Sequence, residues 1–191
     1  MDEEGKNRQI KETGADLEEH GARNVMYMTF KSGEEYFGLK IEYVSEIVQL
    51  QAITEIPGTE DYIKGLINLR GKVIPVMDVS LRLCQTPIAY NDRTCIIVIN
   101  VKDMLVGLIV ETIAEVVDIC EDSILPPPPV GINEQRQNLY IYGVGKVGDS
   151  VKLLLDPDKL LNDKDLTVVE QANHMADRAE SEQKNNEVAE A

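Results

Sequence analysis

Tyr62-Ile63-Lys64-Gly65-Leu66-Ile67-Asn68-Leu69-Arg70-Gly71-Lys72-Val73-Ile74-Pro75-Val76-Met77-Asp78 returns later in the chain in weaker form, as Tyr140-Ile141-Tyr142-Gly143-Val144 through Leu153-Leu154-Leu155-Asp156. Both copies keep the tyrosine, the isoleucine, the glycine and the closing aspartate, but the position matching Arg70 is Gly148. What both copies share is expected to serve the fold. What one copy alone carries is a candidate for function.

The repeat extends outward from this stretch. Aligning Gly38 with Gly107 sets Gly38-Leu39-Lys40-Ile41-Glu42 against Gly107-Leu108-Ile109-Val110-Glu111, and Val44-Ser45-Glu46-Ile47-Val48 against Ile113-Ala114-Glu115-Val116-Val117. The same register sets Ile56-Pro57 against Leu125-Pro126, after which the second copy has an insertion that begins at the stiff run Pro126–Pro129. Two similar β units are expected, at about 36–83 and 104–161, with strands at 25–30 and 94–101 before them.

Short Val- and Ile-rich runs broken by Gly, Pro and charge fill the segment between, including Val73–Met77, Cys95–Val101, Leu105–Val110 and Val151–Leu155. Runs of this length indicate an all-β domain. Val25–Phe30 and Glu35–Ile41 read as a hairpin turning at Ser32-Gly33-Glu34. Glycines inside strands, at Gly38, Gly65, Gly107 and Gly143, point to the sharp bends that small closed barrels need. Helices should be few. Asp156-Pro157 reads as an N-cap followed by proline at the first helical position. Thr167-Val168-Val169-Glu170 has capping-box spacing and opens a weakly apolar C-terminal helix.

The sequence divides by texture into an acidic, aperiodic lead at 1–24, a domain at 25–161 and a polar tail at 162–191. The formal net charge is -15, of which the lead carries -3, the tail -5 and the domain -7. A chain acidic throughout is a poor ligand for nucleic acid, where a basic patch is expected, and is repelled by an anionic membrane surface. The opening Met1-Asp2-Glu3-Glu4 is the reverse of a signal peptide, and the apolar runs are too short to span a bilayer. Cys84, Cys95 and Cys120 are an odd number without C-x-x-C spacing, so buried free thiols in a reducing, cytoplasmic setting are expected.

Catalytic chemistry finds little support. His20 and His174 lie in the polar lead and tail, and no phosphate-loop, dinucleotide or zinc-protease motif occurs. Gly143-Val144-Gly145-Lys146-Val147-Gly148 is glycine-rich but opens no helix, so it reads as a strand bend rather than a phosphate cradle. Neither a catalytic residue nor a cofactor or metal ligand is assigned. Two charges stand apart because apolar strand residues flank them: Glu46 and Arg70. A charge beside a core finds a partner, since leaving one buried and unpaired costs about 3–5 kcal/mol. Arg70 is then either a strand residue reaching for water or the partner of Glu46 at the edge of a recognition groove.

At these residues the chain resembles the CheW family, the coupling proteins of bacterial chemotaxis, over about Met26 to Leu161. Ile63-Lys64-Gly65, Asn68-Leu69-Arg70-Gly71 and Ile74-Pro75-Val76-Met77-Asp78 carry the likeness, supported by Tyr36–Ile47, Asn91-Asp92 and Asp156 with Lys159-Leu160-Leu161. The resemblance implies two five-stranded β-barrel subdomains around a shared hydrophobic core. It also implies a non-catalytic adaptor that links the histidine kinase CheA, through its regulatory domain, to the cytoplasmic tips of chemoreceptors. Carried over by motif, Val44, Glu46, Gly65 and Arg70 match coupling positions of the first subdomain, and Gly107, Ile113 and Val116 match positions around the second. The receptor groove of the family would fall at Val44, Glu46, Arg70 and Ile113. A regulatory module of a CheV- or CheA-type protein is the alternative. The receiver pattern of the one and the phosphotransfer histidine and ATP-binding glycines of the other are absent from this sequence.

Overall fold

In a computed structural model, residues 23–83, 87–127, 140–161 and Thr167 are described. Ten strands and two short α-helices follow in order: β1 Asn24–Ser32, β2 Glu35–Lys40, β3 Val44–Gln49, β4 Ile63–Leu69, β5 Lys72–Asp78, α1 Val79–Leu83, β6 Cys95–Val101, β7 Met104–Val110, β8 Thr112–Cys120, β9 Ile141–Val147, β10 Ser150–Leu155 and α2 Pro157–Leu160, with 3-10 turns at Ile41–Tyr43 and Glu121–Ser123. The all-β expectation holds. The acidic lead, the C-terminal helix and most of the tail lie outside the described residues, as do Cys84 and most of the insertion after Pro126.

The strands form two five-stranded sheets, ordered β8-β1-β2-β10-β9 and β3-β6-β7-β5-β4. Each is open rather than a closed barrel, and the connection after its outer strand folds back to partly cover an edge. Thr54 exchanges backbone hydrogen bonds of 2.8 Å with Leu66 of β4, and Leu125 exchanges bonds of 2.9 and 2.7 Å with Val144 of β9. These bridges set Thr54 opposite Leu125 in the repeat, so the register that places Ile56-Pro57 against Leu125-Pro126 slips within this connection.

Elsewhere the repeat is accurate. Val44 pairs with Ile99 as Ile113 pairs with Phe30, and a bulge follows in both ladders. Gly65 faces Val76 as Gly143 faces Leu154. The repeats are nevertheless not the sheets. One sheet is built from the contiguous segment 44–110. The other takes β1 and β2 from before it and β8, β9 and β10 from after it. Each sheet therefore draws strands from both copies, and the join is a parallel pair: β2 with β10 and β5 with β7. At the joins sit Gly38 and Gly107. A Cβ on Gly38 would lie 2.9 Å from Leu154 Cδ2, and one on Gly107 would lie 2.6 Å from Val76 Cγ1 and 2.7 Å from Ile96 Cγ2. The glycines admit the side chains of the strand that crosses from the other half.

Both faces of each sheet are covered, which explains the unbroken apolar runs. Ile97, Ile99, Leu108 and Val110 face a central core shared with Phe30, Phe37, Leu39 and Leu155 of the other sheet. Ile96, Val98 and Ile109 face a second cluster with Ile67, Ile74 and Val76. Its counterpart in the other sheet holds Tyr27, Val117, Ile119 and Leu154. There the Tyr27 and Tyr142 hydroxyls hydrogen-bond to each other, and burial raises both phenol pKa values.

The shared Asp residues are helix caps. Buried Asp78 accepts from Ser80 N and Leu81 N at the start of α1, and its other oxygen accepts from Tyr90 Oη at 2.7 Å. Burial and the bond to Asp78 both raise the Tyr90 pKa. Asp156 caps α2, accepting from Asp158 N at 3.1 Å, with Pro157 at the first helical position as the sequence implies. The shared tyrosines also have a structural role. Asp78 N donates to Tyr62 O and Asp156 N to Tyr140 O. Between the two rings lies Arg82, its guanidinium carbon 4.3 Å from the Tyr62 centroid and 4.7 Å from that of Tyr140. Its Nε and Nη2 donate to Leu160 O at 3.1 and 2.9 Å. Arg82 thus joins the end of one sheet to the end of the other.

Two cation–π contacts and a charge-assisted bond to a helix-end carbonyl predict that Arg82→Leu lowers stability by about 2–3 kcal/mol. Urea unfolding measures this, and a loss below about 0.5 kcal/mol would deny Arg82 the role of a lock.

Candidate functional site

Arg70 is not a strand residue. Leu69 pairs with Lys72, so Arg70-Gly71 is the two-residue turn of the β4–β5 hairpin. Both residues have positive φ, 54° and 90°, as the favoured I′ hairpin turn requires. Glycine meets that demand freely, whereas an arginine there pays a cost of about 1–2 kcal/mol. The matching turn, between Val147 and Ser150, opens with Gly148 at φ 58°. The first copy therefore accepts backbone strain that the second avoids. Asn68 holds the tip in shape, its Oδ1 accepting from Gly71 N at 2.8 Å.

The strained tip displays a guanidinium. Arg70 Nη2 lies 2.9 Å from Glu46 Oε2, and Nη1 lies 3.5 Å from Oε1, a fork-to-fork contact. The Arg70 side chain is 78% exposed and that of Glu46 27%. Exposure limits such a pair to roughly 0–1 kcal/mol of stability, which does not clearly exceed the strain. The arrangement is better suited to holding a cation at the surface than to holding the fold together. Ile47, next to Glu46, is 44% exposed and supplies an apolar neighbour.

The other sequence-derived candidates occupy different settings. Val44 and Ile113 stand at matching positions on the outer strands β3 and β8, half-buried against the central core. Val116 matches Ile47 and is 51% exposed on β8. Gly65 and Gly107 are buried. Gly65 has φ 135°, and a Cβ there would fall 2.0 Å from Thr54 O, within the bridge that covers β4. Gly107 is the strand join described above. Backbone packing accounts for both glycines.

Other features missed in the sequence are Asn68, Arg82 and Lys152. Lys152 was legible as a single charge inside Val151–Leu155. It is buried, with Nζ 3.5 Å from Glu115 Oε1 and 4.1 Å from the Tyr36 ring centroid. Glu115, the repeat of Glu46, thus has a cation of its own from a different part of the fold.

Gln49, Leu50, Tyr90, Asn91, Asp92 and Thr94 line an open, polar depression of about 530 Å³. Among the described residues no cluster of three or more His, Cys, Asp and Glu could hold a metal, and no helix is long and apolar enough to cross a membrane. Cys95 and Cys120 are free thiols, half-buried rather than fully buried, and burial raises the Cys95 pKa away from reactivity.

Comparison with known proteins agrees with the pattern. Residues 26–165 match the CheW-like domain family. The Chemotaxis protein CheW of Klebsiella aerogenes is 31% identical over 144 residues, 75% of this chain and 86% of that protein. Its namesake in Treponema pallidum is 34% identical, over 73% of this chain and 83% of that protein. The crystal structure of the scaffolding protein TtCheW from Thermoanaerobacter tengcongensis superposes with a TM-score of 0.68 at 34% identity, covering 75% of this chain and 96% of that one. By sequence and by overall structural likeness, this chain belongs to the CheW-like domain family.

Proposed function

We propose that this chain is a non-catalytic, cytoplasmic adaptor that couples chemoreceptors to the histidine kinase CheA in signalling arrays. The observation that carries the reading is Arg70. It sits at a hairpin tip in a backbone conformation suited to glycine, forked onto Glu46 and exposed to solvent. Positive φ alone does not single Arg70 out, since Lys102 and Asp103 share it at the β6–β7 turn; its fork onto Glu46 at an exposed hairpin tip does. Val44 and Ile113 supply apolar surface for a ridge of a receptor helix, in the manner of a helix lying in a groove. Val116 belongs to the second coupling surface, while Gly65 and Gly107 act from within, by permitting the close backbone packing behind the coupling positions. A contact with the regulatory domain of CheA, itself CheW-like in this reading, would be sheet against sheet. Many such contacts in an array give avidity beyond any single affinity.

The match to proteins named Chemotaxis protein CheW over 86% and 83% of their lengths favours this adaptor over a regulatory module of a CheV- or CheA-type protein. The acidic balance of the chain argues against a nucleic-acid ligand.

Arg70→Gly separates function from folding. Relief of positive φ offsets the loss of an exposed ion pair, so unfolding free energy should hold or rise by up to about 1 kcal/mol. Receptor-stimulated CheA activity, reconstituted with receptor fragment, CheA and ATP, should fall towards the unstimulated rate. Full stimulation by a folded Arg70→Gly protein would remove the arginine from the coupling site. Pairing is tested by combining Glu46→Arg with Arg70→Glu. Partial recovery over either single variant is expected, and no recovery would leave Glu46 without a role as partner.

A further inference from the structure

The repeat places Glu46 and Glu115 at matching bulges on β3 and β8, yet the two carboxylates are held in opposite ways. Glu46 is occupied on both oxygens by Arg70, which reaches it from the solvent side. Glu115 is held from beneath. The Lys152 side chain is 4% exposed and that of Glu115 55%. Lys152 Nζ lies 3.5 Å from Oε1, and the Tyr36 ring covers the ammonium at 4.1 Å. Thr29 Oγ1 fixes the backbone on which Glu115 sits, donating to Glu115 O at 2.8 Å and accepting from Glu115 N at 3.2 Å.

The fold does not require a lysine here. The matching residue in the other sheet is Ile74, 1% exposed in an aliphatic cluster. A buried ammonium carries a desolvation cost that an aliphatic side chain avoids. What the lysine adds lies at the surface: a carboxylate fixed from beneath yet half-exposed, beside the exposed Val116 and with exposed Asp118 further along the strand.

We propose that Lys152 is a positioning residue that, with Tyr36, presents Glu115 as the recognition group of the second sheet. Its ligand is a basic side chain of a partner protein, flanked by aliphatic surface that covers Val116. Charge complementarity selects this occupant, because the half-exposed carboxylate accepts and the neighbouring exposed charge is acidic. The inference rests on the coupling role proposed above and gives the adaptor a direction. One sheet offers a cation at Arg70 and the other an acceptor at Glu115, so the two ends cannot exchange partners.

The regulatory domain of CheA and a receptor-tip fragment, titrated separately against the full chain, provide the test. Lys152→Met should keep or raise the urea midpoint, whereas a purely structural lysine would lower it. Lys152→Met and Glu115→Gln should each weaken the same partner about tenfold and flatten its salt dependence, and the double variant should be no weaker than about tenfold, because one residue acts through the other. Lys152→Arg should restore binding. Normal binding of both partners by Lys152→Met, or single losses that multiply in the double variant, would overturn the proposal. Should Lys152→Met fail to fold, normal binding by Glu115→Gln, which alters a surface group only, would overturn it equally. Failure of the unaltered chain to bind either partner would overturn the coupling role and this inference together.

Discussion

Two parallel strand pairings hold the architecture together: β2 beside β10 and β5 beside β7. Each unites segments from different copies of the repeat, and each is possible because a glycine, Gly38 or Gly107, leaves room for Leu154 or Val76. The central core follows from these joins. With strands from both copies in each sheet, Phe30, Phe37 and Leu39 meet Ile97, Ile99 and Leu108 across one apolar layer. The two sheets cannot part without exposing that layer. The split sheet also needs both ends of the described domain, since β1 pairs with β8 and β2 with β10.

The symmetry is broken at Arg82 and at the two repeated glutamates. Arg82 lies between the paired tyrosines Tyr62 and Tyr140 and donates to the carbonyl of Leu160, which is its own counterpart in the second copy. A symmetric molecule could not make that contact twice at one axis, so one copy contributes the cation and the other the carbonyl. The same logic separates the two glutamates. One sheet closes its inner cluster with Ile74 and places the cation outside on a hairpin tip, while the other puts Lys152 inside and leaves the carboxylate half-open. A shared plan thus carries two surfaces of unlike charge.

Arg70 illustrates why a candidate functional residue can be poorly placed by the usual rules. The hairpin needs positive φ at both central positions, and Gly148 shows the easier solution in the second copy. Asn68 buttresses the turn from within the strand. The exposed pair with Glu46 returns little stability, so packing does not account for the local conflict between residue and backbone.

The sequence by itself determined the strand content, the repeat register through most of its length, the helix caps at Asp156 and Pro157, and the distinction of Arg70 from its surroundings. These rest on local chemistry: hydrophobic period, turn residues and capping side chains act over a few neighbours. The pairing of Glu46 with Arg70 was also legible, because two charges set in apolar strands need partners. Tertiary structure decided the rest. Contiguous repeats gave no hint that strands would be exchanged, since Gly38 beside Leu154 and Gly107 beside Val76 are long-range contacts. Arg70 lies in a turn rather than a strand because inter-strand register, not composition, sets where a hairpin reverses. Lys152 and Arg82 acquired their roles only when distant strands brought Glu115, Tyr36 and the two repeated tyrosines around them.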